Sequence, residues 1–259
     1  MADFTITFLG TGTSHGIPVI GCDCEVCTSP DPRDNRTRCS IYVETPEAAW
    51  VIDTGPDFRG QCLREGVKRL DTVLYTHAHT DHVMGFDDLR RFCDVLGGPI
   101  PVHASKDTLD KIRHSFAFAF QGMQMQGYTQ PDPHEIEGPF FIGKTRVVPV
   151  PLEHGRTLVT GYLFEREGRR LLAYLTDCKI IPSHSLELVA GVEILVIDAL
   201  RERPHPTHMH FEEAMRAASE IGAKRTFFTH LCHDFSHVSV ANKLPEGIAP
   251  AYDGLRVAL

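Results

Sequence analysis

Short apolar runs, some alternating and some β-branched, recur along the chain between turn-forming clusters and are interleaved with segments of helical pattern. Residues 4–9 alternate and read as a first strand, broken by Gly10-Thr11-Gly12-Thr13-Ser14. Residues 40–44 and 49–52 form a hairpin pattern around Pro46-Glu47, ended by Asp53-Thr54-Gly55-Pro56. A helix is expected over 57–65, closed by Gly66, and others over 85–93 and 106–113. Residues 71–75 are a short β-branched run of the kind that becomes a buried strand, and 100–104 is a second one. Later strands are expected at 147–152, 159–165, 170–175, 192–197 and 224–229, with an amphipathic helix at 211–221.

Length and charge narrow this picture. A chain of 259 residues suits one α/β domain over 1–259 and can bury a large core without disulfide staples. The net charge of −8 argues against a general surface for polyanions, so extended nucleic acid is not an expected partner. No apolar run approaches the length of a membrane span, and residues 1–4 begin a strand without a signal-peptide pattern. A cytoplasmic protein without a membrane partner is therefore expected. Three of the eight cysteines are bunched too closely for simple pairing, which favours metal binding over disulfides.

Candidate chemistry concentrates in two places. Thr76-His77-Ala78-His79-Thr80-Asp81-His82 follows the run at 71–75 and sets four groups able to bind metal within six positions. From an extended backbone His77 and His79 point the same way, while Asp81 and His82 fall where the chain must turn. Imidazole with carboxylate suits zinc, manganese or iron, and paired metals are a known hydrolytic arrangement. The second place is Cys22-Asp23-Cys24-Glu25-Val26-Cys27, within a loop at 21–39. Three thiolates at this spacing can wrap one zinc if a distant Cys or His completes the tetrahedron. The glycine-rich turn at 10–14 lacks the Gly-Lys-Ser/Thr of a phosphate loop, although Ser14 and His15 could face a site. Residues 115–138, rich in Phe, Met and Gln, read as an insertion serving as a lid, a homodimer surface or irregular packing.

His-x-His-x-Asp-His after a strand, with Asp53-x-Gly55 before it, resembles the metallo-β-lactamase superfamily. That resemblance implies a four-layer αβ/βα sandwich and a hydrolase. It also demands a third His, a bridging Asp and a last His at strand ends, which His154, Asp177 and His230 supply. In such enzymes the Asp of the Asp-x-Gly motif supports the ligand loop by hydrogen bonds and binds no metal. His233, three positions beyond His230, can then turn toward Cys22, Cys24 and Cys27, with Cys232 as the competing fourth ligand.

Cys-x-Cys-x-x-Cys together with His230-x-x-His233 is similar to the cyclic phosphodiesterases of the carbon–phosphorus lyase pathway. The resemblance also takes in Leu9-Gly10-Thr11-Gly12 and Asp253-Gly254. It implies two catalytic metals, manganese or zinc, and one structural zinc. The expected reaction is attack of a metal-bridging hydroxide, held in part by Asp81, on a small cyclic phosphate diester. His208 matches a phosphate-contacting histidine of that family, with His205 and His210 close by in sequence. A nuclease of the tRNA 3′-end processing type and a thiolester or lactone hydrolase are the competing expectations.

Overall fold

The computed structural model describes residues 3–121 and 127–259, which fall into two compact units interleaved in sequence. One takes in Met1–Leu9, Arg38–Glu137 and Gly254–Leu259, and the other Gly10–Thr37 and Gly138–Asp253.

The first unit is built on seven strands. In spatial order they are Arg256–Ala258, β1 (Thr5–Gly10), β2 (Ser40–Glu44), β3 (Ala49–Ile52), β4 (Thr72–Leu74), β5 (Ile100–Ala104) and β6 (Pro131–Glu135). From β3 to β6 the pairing is parallel, so the C-terminal ends of these strands share one edge. Central β3 and β4 are continuous apolar runs buried on both faces, as parallel strands under helices require. The helices are α1 (Phe58–Glu65), α2 (Thr80–Val83), α3 (Arg90–Leu96) and α4 (Lys106–Ser115). Phe58, Phe86, Phe92 and Ile112 pack with Val51, Val73 and Val102 into this unit's core.

The second unit has its own sheet: β7 (Phe140–Ile142), β8 (Thr145–His154), β9 (Thr157–Arg166), β10 (Arg169–Leu175), β11 (Ile194–Asp198), β12 (Arg225–Thr229) and β13 (Ile248–Pro250). Strands β10 to β13 are parallel, while β8–β9 and β9–β10 are antiparallel. Two reversals make β8 run with β10, so β8, β10, β11 and β12 all end at one edge. The helices are α5 (Ser183–Val189), α6 (Phe211–Ile221) and α7 (His237–Lys243). Phe211, Ala214, Ala218 and Ile221 recur at helical spacing on α6 and pack on Leu195, Ile197 and Phe228.

Several sequence expectations need correction. The helix expected at 85–93 is a 3-10 turn, Phe86–Leu89, followed by α3. Part of the insertion at 115–138 is regular: Pro131–Glu135 is an edge strand paired with β5, which its prolines had disguised. Phe116 stacks on Phe86 at 4.8 Å and Phe120 at 6.0 Å, so these aromatics belong to the core. Its stretch 122–126, named above as lid or dimer surface, lies outside the described residues.

Candidate metal centre

In the first unit, strand pairing brings Asp53, just past β3, beside Thr76 and His77, just past β4. Asp53 is wholly buried at φ 64°, a left-handed conformation that costs energy away from glycine. One carboxylate oxygen accepts from the Thr76 amide (2.8 Å), the other from the Thr76 hydroxyl (2.8 Å) and His82 Nδ1 (2.7 Å). Burial pushes the Asp53 carboxyl up, opposed by His82 and Thr76. Three donors on two oxygens make carboxylate the form that fits. Since the Thr76 hydroxyl gives its only proton to Asp53, it accepts from His77 Nδ1 at 3.0 Å. Both His77 and His82 are therefore held as the tautomer whose Nε2 carries the lone pair, the nitrogen that could hold a metal.

The rings converge. His77 lies 4.4 Å from His79 and 4.3 Å from His82 between centroids, and His82 Nε2 is 3.3 Å from an Asp81 carboxylate oxygen. Glycine makes this loop possible: a Cβ on Gly55 would sit 2.2 Å from the Asp81 carbonyl oxygen. The Asp-x-Gly motif thus pairs an orienting carboxylate with a close backbone approach to the ligand loop.

The second unit collects its candidates at the shared strand edge. His154 closes β8, Asp177 follows β10, Asp198 closes β11 and His230 follows β12. Asp177 (φ 51°) and His230 (φ 59°) are again left-handed, and His230 Nε2 is 3.5 Å from Asp177. Three of the four non-glycine residues with positive φ among the described residues are Asp53, Asp177 and His230. Such strain persists where the surroundings over-determine it, commonly at active sites. His154 Nδ1 donates to the Thr207 carbonyl at 2.8 Å, again presenting Nε2.

His208 lies in the same group, 4.5 Å from His154 and 4.6 Å from His230 between ring centroids. Its Nδ1 donates to buried Asp198 at 2.7 Å, and the same oxygen accepts from the Cys178 amide at 3.0 Å. The two neighbouring histidines are used otherwise. His210 precedes α6, its amide donating to Glu213 at 3.1 Å. His205 Nδ1 accepts from the Thr207 amide at 3.3 Å. Nothing local in the sequence singles out Asp198; its only signal is a carboxylate at the end of a strand, as with Asp177 and His230.

The structure brings Cys22, Cys24, Cys27 and His233 together. His233 Nδ1 lies 3.4 Å from Cys22 Sγ, 3.6 Å from Cys24 Sγ and 3.4 Å from Cys27 Sγ. The four donor atoms lie within 4.8 Å of one another, a set suited to tetrahedral zinc. Cys24 is lowered to about 6 by the Cys27 amide, whereas burial pushes Cys27 up to about 11. Crowded thiols resist ionising together unless a cation neutralises them, which is what a structural metal does. Cys232, the competing ligand, instead accepts from the Asp234 amide at 3.4 Å, and burial pushes its thiol up to about 11.

Comparison with known proteins places this geometry in a class. The profile of the Beta-lactamase superfamily domain matches residues 50–231, and the chain belongs to that superfamily. It is a metallo-hydrolase of the αβ/βα fold class. In particular, it is similar to the crystal structure of a new diphosphatase from the PhnP family: 41% identity, TM-score 0.91, covering 99% of this chain and 97% of that one. Zinc-bound PqqB from Methylobacterium extorquens shares the fold at 20% identity and TM-score 0.80, over 98% of this chain and 100% of that one. Among curated proteins, an octanoyltransferase of Porphyromonas gingivalis is 36% identical over 97% of this chain. The chain spans about half the length of that relative, 51%. Among the described residues no helix is long and apolar enough to cross a membrane.

Proposed function

We propose that the chain is a metal-dependent phosphodiesterase acting on a small cyclic phosphate diester, such as phosphoribosyl 1,2-cyclic phosphate or a 2′,3′-cyclic nucleotide. In this reading His77, His79, Asp81, His82, His154, Asp177 and His230 together hold two divalent metals, manganese or zinc. Cys22, Cys24, Cys27 and His233 hold a structural zinc. The observation that carries the reading is the outer layer of hydrogen bonds. Nδ1 of His82, His154 and His208 each donates to an acceptor that has no proton to give, so each ring is set to present Nε2.

The metals, when bound, supply Lewis acidity: they lower the pKa of a bound water toward about 7 and offset charge on the phosphoryl oxygens. The protein's own part is orientation and proton delivery. Asp53 fixes His82 directly and His77 through Thr76. Asp198 fixes His208 through Nδ1, and in the doubly protonated ring Nε2 also carries a proton that it can give to the departing alkoxide, leaving the neutral ring. A strained cyclic diester needs little distortion to reach an in-line geometry. The net charge of −8 favours a small substrate over a long polyanion, whose binding depends on releasing counterions to many cationic contacts. The likeness to a PhnP-family diphosphatase supports phosphorus chemistry. The octanoyltransferase name belongs to a protein about twice as long as the matched segment and gives acyl transfer no separate support.

The test is a substrate panel at equal concentration of enzyme loaded with manganese or zinc. Ribose 1,2-cyclic phosphates and 2′,3′-cyclic nucleotides are expected to be opened far faster than a glutathione thiolester or precursor tRNA. Faster thiol release, or accurate trimming of the precursor, would overturn the reading.

A further inference from the structure

The first unit contains a cavity of about 810 Å³ between α1 and α3, within the size range of small-molecule sites. None of the candidate metal ligands lines it. From α1 come Phe58, Arg59, Cys62 and Leu63, two pairs one turn apart that share a face. From α3 come Arg90, Arg91, Phe92 and Val95, and the turn that closes α1 adds Val67 and Lys68. Phe58 and Phe92 are buried, with ring centroids 6.0 Å apart, and form the floor. Leu63 is 67% exposed and Val95 51%, apolar side chains at the rim that stand outside the unit's core. Burial pushes the Cys62 thiol up to about 12, so it stays protonated and lines the cavity as an apolar group.

The charges around this apolar lining are lopsided. Arg59, Lys68, Arg90 and Arg91 stand against a single carboxylate, Asp88. Burial pushes the Asp88 carboxyl up, and Arg90 and Arg59 oppose it, so those two cations share its charge. Arg90 is also paired with Asp87. Lys68 and Arg91 form no ion pair among the described residues. On a chain of net charge −8 this is a local reversal of sign over an apolar hollow. An exposed ion pair alone is worth little in water. An anion is held there only if it also buries an apolar body, whose gain grows with the area removed from water.

We propose that this cavity binds a small amphipathic anion, a carboxylate on an apolar chain or ring. Its body packs on Phe58, Leu63, Phe92 and Val95, and its carboxylate meets Lys68 and Arg91. A hollow floored by buried rings takes a body that enters it, whereas a broad partner surface would meet only the rim. This site does not depend on the phosphodiesterase reading.

Titration calorimetry on the metal-loaded full chain tests it. Decanoate is the probe, acetate supplies the head without the body, and decan-1-ol the body without the head. Decanoate should bind at one site per chain, decan-1-ol at least tenfold more weakly, and acetate without detectable heat. Lys68→Gln/Arg91→Gln should weaken decanoate about tenfold, the size of one charge-assisted hydrogen bond, while Lys68→Arg/Arg91→Lys should keep most of the affinity. Leu63→Ser should also weaken it. All three positions are exposed, so the variants should keep the wild-type Tm. Decanoate bound equally well by Lys68→Gln/Arg91→Gln, or no more tightly than decan-1-ol, overturns the proposal. No heat from decanoate overturns it too, and a dimer that Leu63→Ser dissociates would then assign this face to a second copy of the chain.

Discussion

At His208 a buried carboxylate holds one ring nitrogen, so the other is committed to whatever lies in front of it. A residue that donates a proton to a leaving group matters most when that group is a poor one, because a stable anion departs without help. His208→Ala is therefore expected to slow release of a sugar alkoxide about 100-fold or more, and of nitrophenolate by much less. Asp198→Asn should show the same leaving-group dependence more weakly, since the ring remains but its tautomer is no longer dictated. Both should keep their metals. Parallel rate measurements on a nitrophenyl diester and an alkyl diester check this, and equal losses on both would remove proton donation from His208. His208 itself was singled out among its neighbouring histidines only by the family resemblance. Asp198 was not, because nothing local distinguishes a carboxylate that caps a strand from one that aims a histidine.

Among elements, the segment 10–37 depends most on chemistry outside hydrogen-bonded secondary structure, with a single 3-10 turn at Pro32–Asp34. It is held by the four-ligand cluster at one end and by Arg36 at the other. Buried Arg36 donates to the Thr11 hydroxyl at 3.0 Å and to the Ala251 carbonyl at 2.5 Å. A Cβ on Gly12 would meet the Arg36 carbonyl oxygen at 2.7 Å, so the opening glycine-rich turn is there for a close backbone crossing. Cys22→Ser should lose one metal of three by elemental analysis. It should also lower Tm by about 5 °C or more, because in a chain of this size each kcal/mol moves Tm by roughly 2–4 °C. Retention of three metals would sink the structural site. The Cys-x-Cys-x-x-Cys spacing pointed to this cluster and to His233 ahead of Cys232 as its fourth member; the fold sets His233 beside the thiols by sending the chain after β12 back toward the loop.

For the molecule as a whole, acid should be destabilising before carboxylates titrate. His103 is held down to about 4 by burial and by His134, stacked 4.8 Å away. His237 is held down to about 4 by burial and by Arg36 and Arg33. Its Nδ1 lies 3.3 Å from the Arg36 guanidinium, which can only donate, so the neutral ring is the one that fits. Both folded values lie below the unfolded value near 6.5, so the unfolded chain takes protons first. Their stabilising contribution is complete above about pH 6.5 and is lost as pH falls toward 4. Urea unfolding from pH 8 to 4 should show that decline, and His237→Gln should make it shallower. An equally steep fall in the variant would refute the role of His237.

Periodicity and motif spacing were enough for the α/β class, for most strands, for the helix at 211–221 and for the clusters at 77–82 and 22–27, while His154, Asp177 and His230 were singled out by the family resemblance. Buried runs and ligand clusters are local patterns, readable residue by residue. What they could not reveal were the short polar edge strands, α5 and α7, whose existence depends on neighbours distant in sequence. Nor could they reveal the acceptors that aim the histidines: Asp53 reaches His82 across 29 positions and Thr207 reaches His154 across 53. The chain by itself determined which side chains are able to carry chemistry, because that depends on residue type and spacing. Only the tertiary structure decided which nitrogen each histidine presents, because a hydrogen bond exists only once both partners have been placed.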